Sequence, residues 1–524
     1  MKRYLYKIVI SFTLIASLSG CEKFINVEPI DSLSGNNYWK DSRDAETFTL
    51  EIYRLFREAT LLKGPYFIMG ELRHGMGMQT PSYPPRIDID HASKGLVPLL
   101  AYAYKPAQNE SNADFFWQKN TEWDLLMDWK PFYKVIQSSN ILHENVVRLA
   151  ENNTTISEAI VRKFQAEAVF MRCLTYFFLI RLYGDVPYYT NAYNDKPLPR
   201  TSQVTIIKNC LEELGKVKND LPWTYDEPAN RAVRAMRGSA IALMMNLNMW
   251  AAGFDEANKA DYFSAVDDLG DELTQEGEII NKAYELLPLD KVDEIFQGRS
   301  KESFFEIANS VNYQGFVGAN SRKMIPFYVL SGYTVRLNQD RENAELAYRP
   351  AYMERLYPEG VADGRINIWF EEENWKLGNG KFRFYKFVNF EFNEANTAEN
   401  YANSIMIFRY AESLLLQAEA CAGLDNTAKA TELLNRVRKR AQAAEYPSNG
   451  YESLSEAIFY ERAKELMGEG YYFFDLVRTR RILDGKYTQA PMSFTAFNSG
   501  AWTWPISRDA LVNNPYMTLN YWNQ

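Results

Sequence analysis

The chain is poor in the residues that most often carry chemistry. Its 524 residues include four cysteines and three histidines. Beyond Cys21, the thiols are Cys173, Cys210 and Cys421, all in segments of helical pattern. Three thiols cannot all pair within one chain, and they read as small buried apolar residues. His74, His91 and His143 do not make a ligand set, and no HExxH, CxxC pair or Gly-rich phosphate loop occurs. No metal, nucleotide or other cofactor is therefore expected. Basic charge is also in deficit. Fifty-eight Lys and Arg stand against 67 Asp and Glu, a net charge of -9. That argues against nucleic acid as a partner, since phosphate binding needs a basic surface. Beyond the first twenty residues no apolar run is long enough to span a bilayer. What is present is ordinary globular composition, with 46% hydrophobic and 24% charged residues. The length allows a large core and by itself suggests more than one domain. Aromatics reach 15%, and Tyr and Trp suit surfaces that are apolar on one side and wet on the other.

The first twenty residues form a unit of their own. Lys2, Arg3 and Lys7 give a positive start, Ile8 to Leu18 an apolar run, and Ser19-Gly20 a small-residue cleavage site before Cys21. Leu18-Ser19-Gly20-Cys21 resembles the lipobox of bacterial lipoproteins. The resemblance implies removal of residues 1–20 and acylation of Cys21. Several acyl chains give a stable anchor where one is marginal. Residues 21–40, rich in turn formers such as Pro29, Asp31, Ser34 and Gly35, then read as a tether.

Apolar periodicity predicts helices from near Asp41, over Glu122–Leu149, Glu158–Tyr183, Gln203–Leu221, Ala235–Trp250 and Asp261–Leu273. Gly184-Asp185-Val186-Pro187 is a stop, combining a residue free to adopt positive φ with a proline soon after. Further helices are predicted over Ile407–Ala422, Thr427–Ala444 and Leu454–Ile482, with Gly468 and Gly470 bending the last. Two stretches lack this pattern. Lys63 to Asn120 carries many Gly and Pro residues and reads as a long irregular segment. Leu287 to Asn403 is loose, and Lys381–Phe390 alternates in a way that permits a strand. Tyr410–Ala422, a turn at Gly423–Asn426 and Ala428–Arg440 look like a tetratricopeptide unit. Gly238–Gly253 with Tyr262 and Ala265 looks like a weaker one. Such units need stacking to bury their faces.

Four ordered blocks then point to a family. Arg162-Lys163-Phe164-Gln165-Ala166-Glu167-Ala168 through Arg181-Leu182-Tyr183-Gly184-Asp185-Val186-Pro187 is the first. Phe408-Arg409-Tyr410-Ala411-Glu412 to Ala420, with Leu434-Asn435-Arg436-Val437-Arg438, is the second. Glu461-Arg462-Ala463-Lys464-Glu465-Leu466 to Gly470, with Asp475-Leu476-Val477-Arg478, is the third. Trp504-Pro505-Ile506-Ser507 with Asn514-Pro515 closes the series. Together they resemble SusD-like (RagB/SusD) lipoproteins, and an early Gly70-Glu71-Leu72-Arg73 agrees. An Asp often follows that early block in the family, where this chain has His74-Gly75. The closing run Thr518-Leu519-Asn520-Tyr521-Trp522 also departs from the family's usual Gln-Asn-Pro-like ending.

The resemblance implies a mainly α fold, a tetratricopeptide-like helical-repeat scaffold with long irregular loops. Residues 41–524 would form one body, with repeats over about 41–275 and 405–485 and an irregular ligand-side insertion over about 287–403. It implies a lipid-anchored protein at the outer membrane of Bacteroidota-type bacteria, exposed at the cell surface. There it would capture a glycan without catalysis and act as a lid for a SusC-like TonB-dependent barrel. A peptide- or protein-binding role in the same family is the main alternative, and a glycan-cleaving enzyme a lesser one.

Glu461, Glu465 and Glu469 with Asp475 offer the paired carboxylates a glycosidase needs. Arg462, Lys464, Arg478 and Arg480 lie close in sequence, and ion pairing is the better reading of this cluster. Helical aromatics such as Tyr176, Phe178, Tyr471 and Phe474 read as core. Loop aromatics are better ligand candidates, because a flat ring covers a sugar's C–H face while amides and guanidinium groups meet its hydroxyls. On that ground Tyr83, Tyr104 and Trp117 with Arg73, His74, Asn109 and Asn112 are candidates, as is Tyr328. Tyr102, Tyr313, Tyr333, Trp369 and Trp375 are alternatives.

Overall fold

The computed structural model describes residues 38–62, 70–71, 73, 75–79, 124–152, 156–308, 346–370, 384, 386–387, 390–392, 398–401, 403–447 and 453–521. The first helix, α1 (Ser42–Arg57), starts where the sequence places it. The Asp41 carboxylate accepts from the Arg43 amide at 2.7 Å, and the Asp44 carboxylate accepts back from the Asp41 amide at 3.2 Å. This reciprocal cap satisfies donors that a helix start leaves open. The second helix, α2 (Lys130–Asn152), begins later than its apolar pattern suggests. Asp124–Met127 is a separate 3₁₀ turn, and Asp128 then accepts from the Lys130 amide at 3.0 Å. Pro131 sits in the first turn, where its missing N–H costs nothing.

The centre of the body is α3 (Glu158–Tyr183), capped by Ser157. Every residue from Ala166 to Tyr183 is buried, so this helix is covered on all sides. Its polar members are partnered. Glu167 meets Arg234 at 2.7 Å, and Arg172 meets Asn140 at 2.7 Å and Glu213 at 3.0 Å. The predicted stop is present, with Gly184 at φ +72°. Helix α3 is packed by α2 on one side and by α4 (Gln203–Val217) on another.

The two expected repeat units are both formed. In the first, α5 (Arg237–Ala252) packs on α6 (Lys259–Glu272), which runs on as π-helical turns over Leu273–Ile280. Three short elements follow in the middle of the chain: α7 (Val292–Gln297), α8 (Pro350–Leu356) and α9 (Arg365–Trp369). In the second unit, α10 (Tyr410–Gly423) packs on α11 (Thr427–Arg440). The units stack through α6 against α10, and α10 also packs on α12 (Leu454–Glu465). The chain ends with α13 (Tyr472–Arg478) and α14 (Phe494–Asn498). Cys173, Cys210 and Cys421 are buried free thiols, as expected, and burial pushes the Cys421 thiol up to about 12.

Strands appear where helical periodicity fails. The described residues hold three antiparallel pairs: β1 (Gly77–Gln79) with β3 (Leu346–Tyr348), β2 (Ser303–Ile307) with β6 (Ile405–Arg409), and β4 (Phe390–Phe392) with β5 (Ala398–Tyr401). The predicted helix at Ile407–Ala422 is corrected here, since Ile405–Arg409 is a strand and α10 starts at Tyr410. Its apolar run pairs with Phe305 and Ile307, a contact about a hundred residues away that local pattern does not contain. Strand β1, within the segment read as irregular, likewise pairs Gly77 with Tyr348. In Lys381–Phe390 the described residues give an isolated bridge of Phe384 to Phe370 and the first residue of β4.

Candidate functional site: a closed charged centre

The third sequence block folds into the bend between α12 and α13. Gly468 and Gly470 both take positive φ, +78° and +81°, which a side chain disfavours. Glu461 and Glu465 thus share one face of α12, and the bend brings Glu469 to the same cluster through Arg409. All three are buried and all are paired. Glu465 receives Arg409 at 2.8 Å, Arg365 at 3.1 Å and also Arg440. Glu461 receives Arg365 at 2.7 Å and Arg438 at 2.9 Å. Glu469 receives Lys386 at 2.6 Å and Arg409 at 2.7 Å. Asp363 closes on Arg365 at 2.8 Å, and Glu302 on Arg409 at 2.8 Å. A second knot lies alongside, with Asp475 held by Arg462 at 3.0 Å and Arg478 at 2.7 Å, and Arg478 reaching Glu419 at 2.6 Å.

Electrostatics follow from this geometry. Burial pushes Glu465 upward, but Arg440, Arg409 and Arg365 outweigh it and hold the carboxyl far below its usual range. Burial lowers Lys386 to about 8, the Glu469 carboxylate opposing the shift. A glycosidase needs an open acid and an open nucleophile. Here each of these carboxylates already accepts from guanidinium or ammonium groups inside the protein. The cluster reads as a fastening, in line with the ion-pair reading of the sequence. Breaking such a pair costs about 3–5 kcal/mol, because the remaining charge is stranded.

The early block docks onto the same bend. Glu71 accepts from the Gly468 amide at 3.0 Å and the Gly470 amide at 3.2 Å, and Tyr348 donates to it as well. Burial raises its carboxyl to about 7. Approach is so close that a Cβ on Gly70 would lie 1.7 Å from the Gly470 carbonyl oxygen. The ligand role expected of Arg73 gives way to a different one. Its side chain is 3% exposed and points inward, donating to the Trp502 carbonyl at 2.7 Å and the Ala501 carbonyl at 3.3 Å. The guanidinium lies 4.3 Å from the Phe473 ring, and burial lowers it to about 9. Trp369, an alternative candidate, is likewise core at 1% exposure. Cys21, His74, Tyr83, Tyr104, Asn109, Asn112, Trp117 and Tyr328 lie outside the described residues, as do Tyr102, Tyr313, Tyr333 and Trp375. Glu71 is the residue that sequence reasoning passed over. Its signal was its place in the Gly70–Arg73 block, but its partners are nearly four hundred residues away.

The closing segment completes the centre. The Trp504 amide bonds to the Leu182 carbonyl at 2.7 Å, seating buried Trp502 and Trp504 against the end of α3. The four sequence blocks therefore meet in space. They define a helical-repeat body in which Glu71, Arg365 and Lys386, from stretches without helical pattern, are bound at a charged bend. Set beside known proteins, this body has clear relatives, and the chain belongs to the SusD-like family. The family model described as "SusD family" matches residues 370–522, and one described as "Starch-binding associating with outer membrane" matches residues 96–245. A SusD homolog from Bacteroides thetaiotaomicron, known by crystal structure, is 36% identical, with a TM-score of 0.79 over 92% of this chain and 98% of that one. SusD-like protein P25 of Formosa agariphila is 24% identical, covering 91% of this chain and 90% of its own length. B. fragilis NanU shares the fold, with a TM-score of 0.68 at 20% identity over 94% of this chain and 99% of that one. No helix among the described residues is long and apolar enough to cross a membrane.

Proposed function

We propose that this protein captures an extracellular glycan at the outer membrane and delivers it to a SusC-like TonB-dependent transporter, acting as its lid and cutting no bond. The observation that carries this reading is family membership, with a matched description that names starch binding and association with the outer membrane. The neutralised carboxylates of the bend support a binding role over a hydrolytic one. The lipobox-like segment before Cys21 supports anchoring through that residue, with the body outside the cell. Ligand contact falls to the loop residues Tyr83, Tyr104, Trp117 and Tyr328, whose rings cover sugar faces. His74, Asn109 and Asn112 meet the hydroxyls. Arg73 fixes its own position to the chain's closing residues.

The test uses chain lacking residues 1–21, presented with a panel of polysaccharides and peptides by calorimetry. A glycan should bind, remain uncut after long incubation, and bind at least tenfold more weakly once Trp117 and Tyr104 are replaced by Ala. Peptide binding without glycan binding would replace this reading with the peptide-capture one. In cells, the full chain should take up labelled palmitate and co-purify with a large barrel; failure of either would remove the anchor or the lid.

A further inference from the structure

A concavity lies beside the Arg478–Glu419 pair, where several helix ends meet. It is a cleft of about 810 Å³ between the ends of α5, α10 and α13 and the starts of α6 and α12. Its floor is tight: a Cβ on Gly253 would sit 2.3 Å from the Arg478 carbonyl oxygen. Its walls carry Arg480, Arg481, Phe263 and Tyr487.

The acids along this cleft are mostly engaged. Glu419 is held by Arg478 at 2.6 Å, and Glu256 pairs with Lys259 at 3.3 Å. Asp484 accepts from the Lys486 amide at 2.8 Å. Arg480 is different. It is an exposed residue in the left-handed region, at φ +58°, a conformation that costs a non-glycine residue about 1–2 kcal/mol. Two bonds hold it there: its amide to the Val477 carbonyl at 3.1 Å, and its Nε to the Gly253 carbonyl at 3.2 Å. Among the described residues, the two terminal nitrogens of its guanidinium meet no acceptor. Beside it, the Arg481 guanidinium lies 4.5 Å from the Phe459 ring and 5.3 Å from the Tyr487 ring, fixed by Ser455 Oγ at 3.0 Å. The cleft thus holds a positioned guanidinium with two unspent terminal nitrogens, and the half-buried Phe263 ring lines the same cleft, in a protein whose net charge is -9.

Such a fork matches a carboxylate, to which it donates two parallel bonds. An aromatic ring at the same site, Phe263, matches the C–H face of a pyranose. We propose that this cleft is a second saccharide subsite, selective for an acidic sugar, with a uronate-type carboxylate on Arg480 and the sugar ring against the Phe263 wall. The inference rests on the glycan-capture reading and adds a place and a charge class to it.

The test compares trigalacturonate with maltotriose by calorimetry, on chain lacking residues 1–21 and on its Arg480→Gly variant. Glycine accepts the left-handed conformation, so this variant removes the guanidinium while sparing the backbone; thermal unfolding checks that the fold persists. Trigalacturonate should bind, lose tenfold or more in affinity in Arg480→Gly, and bind more weakly as salt rises. Arg480→Lys should recover part of the loss, since it restores charge but not the fork. Equal affinity in wild type and Arg480→Gly would overturn the subsite, as would binding of neutral glycans alone; either leaves glycan capture standing. If an acidic peptide competes in the cleft and trigalacturonate does not, the ligand class is overturned. No binding by any saccharide would remove the capture reading as well.

Discussion

The helical repeats and the irregular segments are held to the same body by different forces. Helices α3, α5 and α10 are buried along nearly their whole length, and they join through apolar surface. The segments bearing Glu71, Arg365, Lys386 and Arg409 are joined to the charged cluster at the bend by hydrogen bonds and ion pairs, Glu302 joins it through Arg409, and Arg73 is tied to the closing residues. The difference is one of direction. Apolar contact is non-directional and tolerates small shifts between helices. A guanidinium held by two carboxylates tolerates little, since geometry sets whether its desolvation is repaid. A scaffold assembled by the first kind of contact is thus fitted with segments whose position is set by the second.

The sharpest way to break this contrast is Glu465→Ala. It would leave Arg365, Arg409 and Arg440 without a shared acceptor. We expect a loss of about 3–5 kcal/mol by urea denaturation, from stranded charge. Leu415→Ala, on fully buried α10, should cost about 2–5 kcal/mol through a cavity. The contrast would then show in proteolysis, with Glu465→Ala freeing the irregular segments before the repeats. Gly70→Ala should cost about 1–3 kcal/mol, because its Cβ would overlap the Gly470 carbonyl and force the bend to shift.

The pH response separates two groups of buried acids. Glu71, Glu306 and Glu412 are all raised by burial to about 7. Their folded state binds protons more tightly than the unfolded chain. The stability they contribute is therefore complete below their unfolded value near 4.5, and it is lost as pH rises through about 7. Glu465 and Glu469 are shifted down despite burial, by Arg440 and Arg409 and by Arg409 and Lys386 respectively. Their contribution is present above about 4.5 and is lost as pH falls below it. Denaturation midpoints in Glu71→Gln should accordingly fall less than in wild type between pH 5 and about 7. The smallest effect expected is at the exposed Lys216–Glu212 pair, where Glu212→Ala should leave the thermal midpoint unchanged.

The sequence made the repeats legible for the same reason that they are held by apolar contact. Residues such as Leu414, Leu415, Leu433 and Leu434 recur at helical spacing, and Gly184 ends α3 where its stop signal lies. The pairing of Glu461 and Glu465 with basic groups was legible as a charge cluster. Arg365, Arg409 and Arg440 as partners were not, because they come from elsewhere in the chain. Strand β6 resisted for a related reason, since Ile405, Ile407 and Phe408 satisfy either period until β2 arrives to pair with them. Arg73 shows the limit most plainly. A cation in a loop suggests an open surface, and its true acceptors lie 429 and 428 residues further on.

That separation bears on how the molecule is made. Glu71 waits 397 residues for the Gly468 amide, so the clasp cannot close until most of the polypeptide has been made. Contacts of such high order form late and slowly. The loop that carries Glu71 therefore stays unlatched until the bend at Gly468 and Gly470, close to the end of the sequence, has been made.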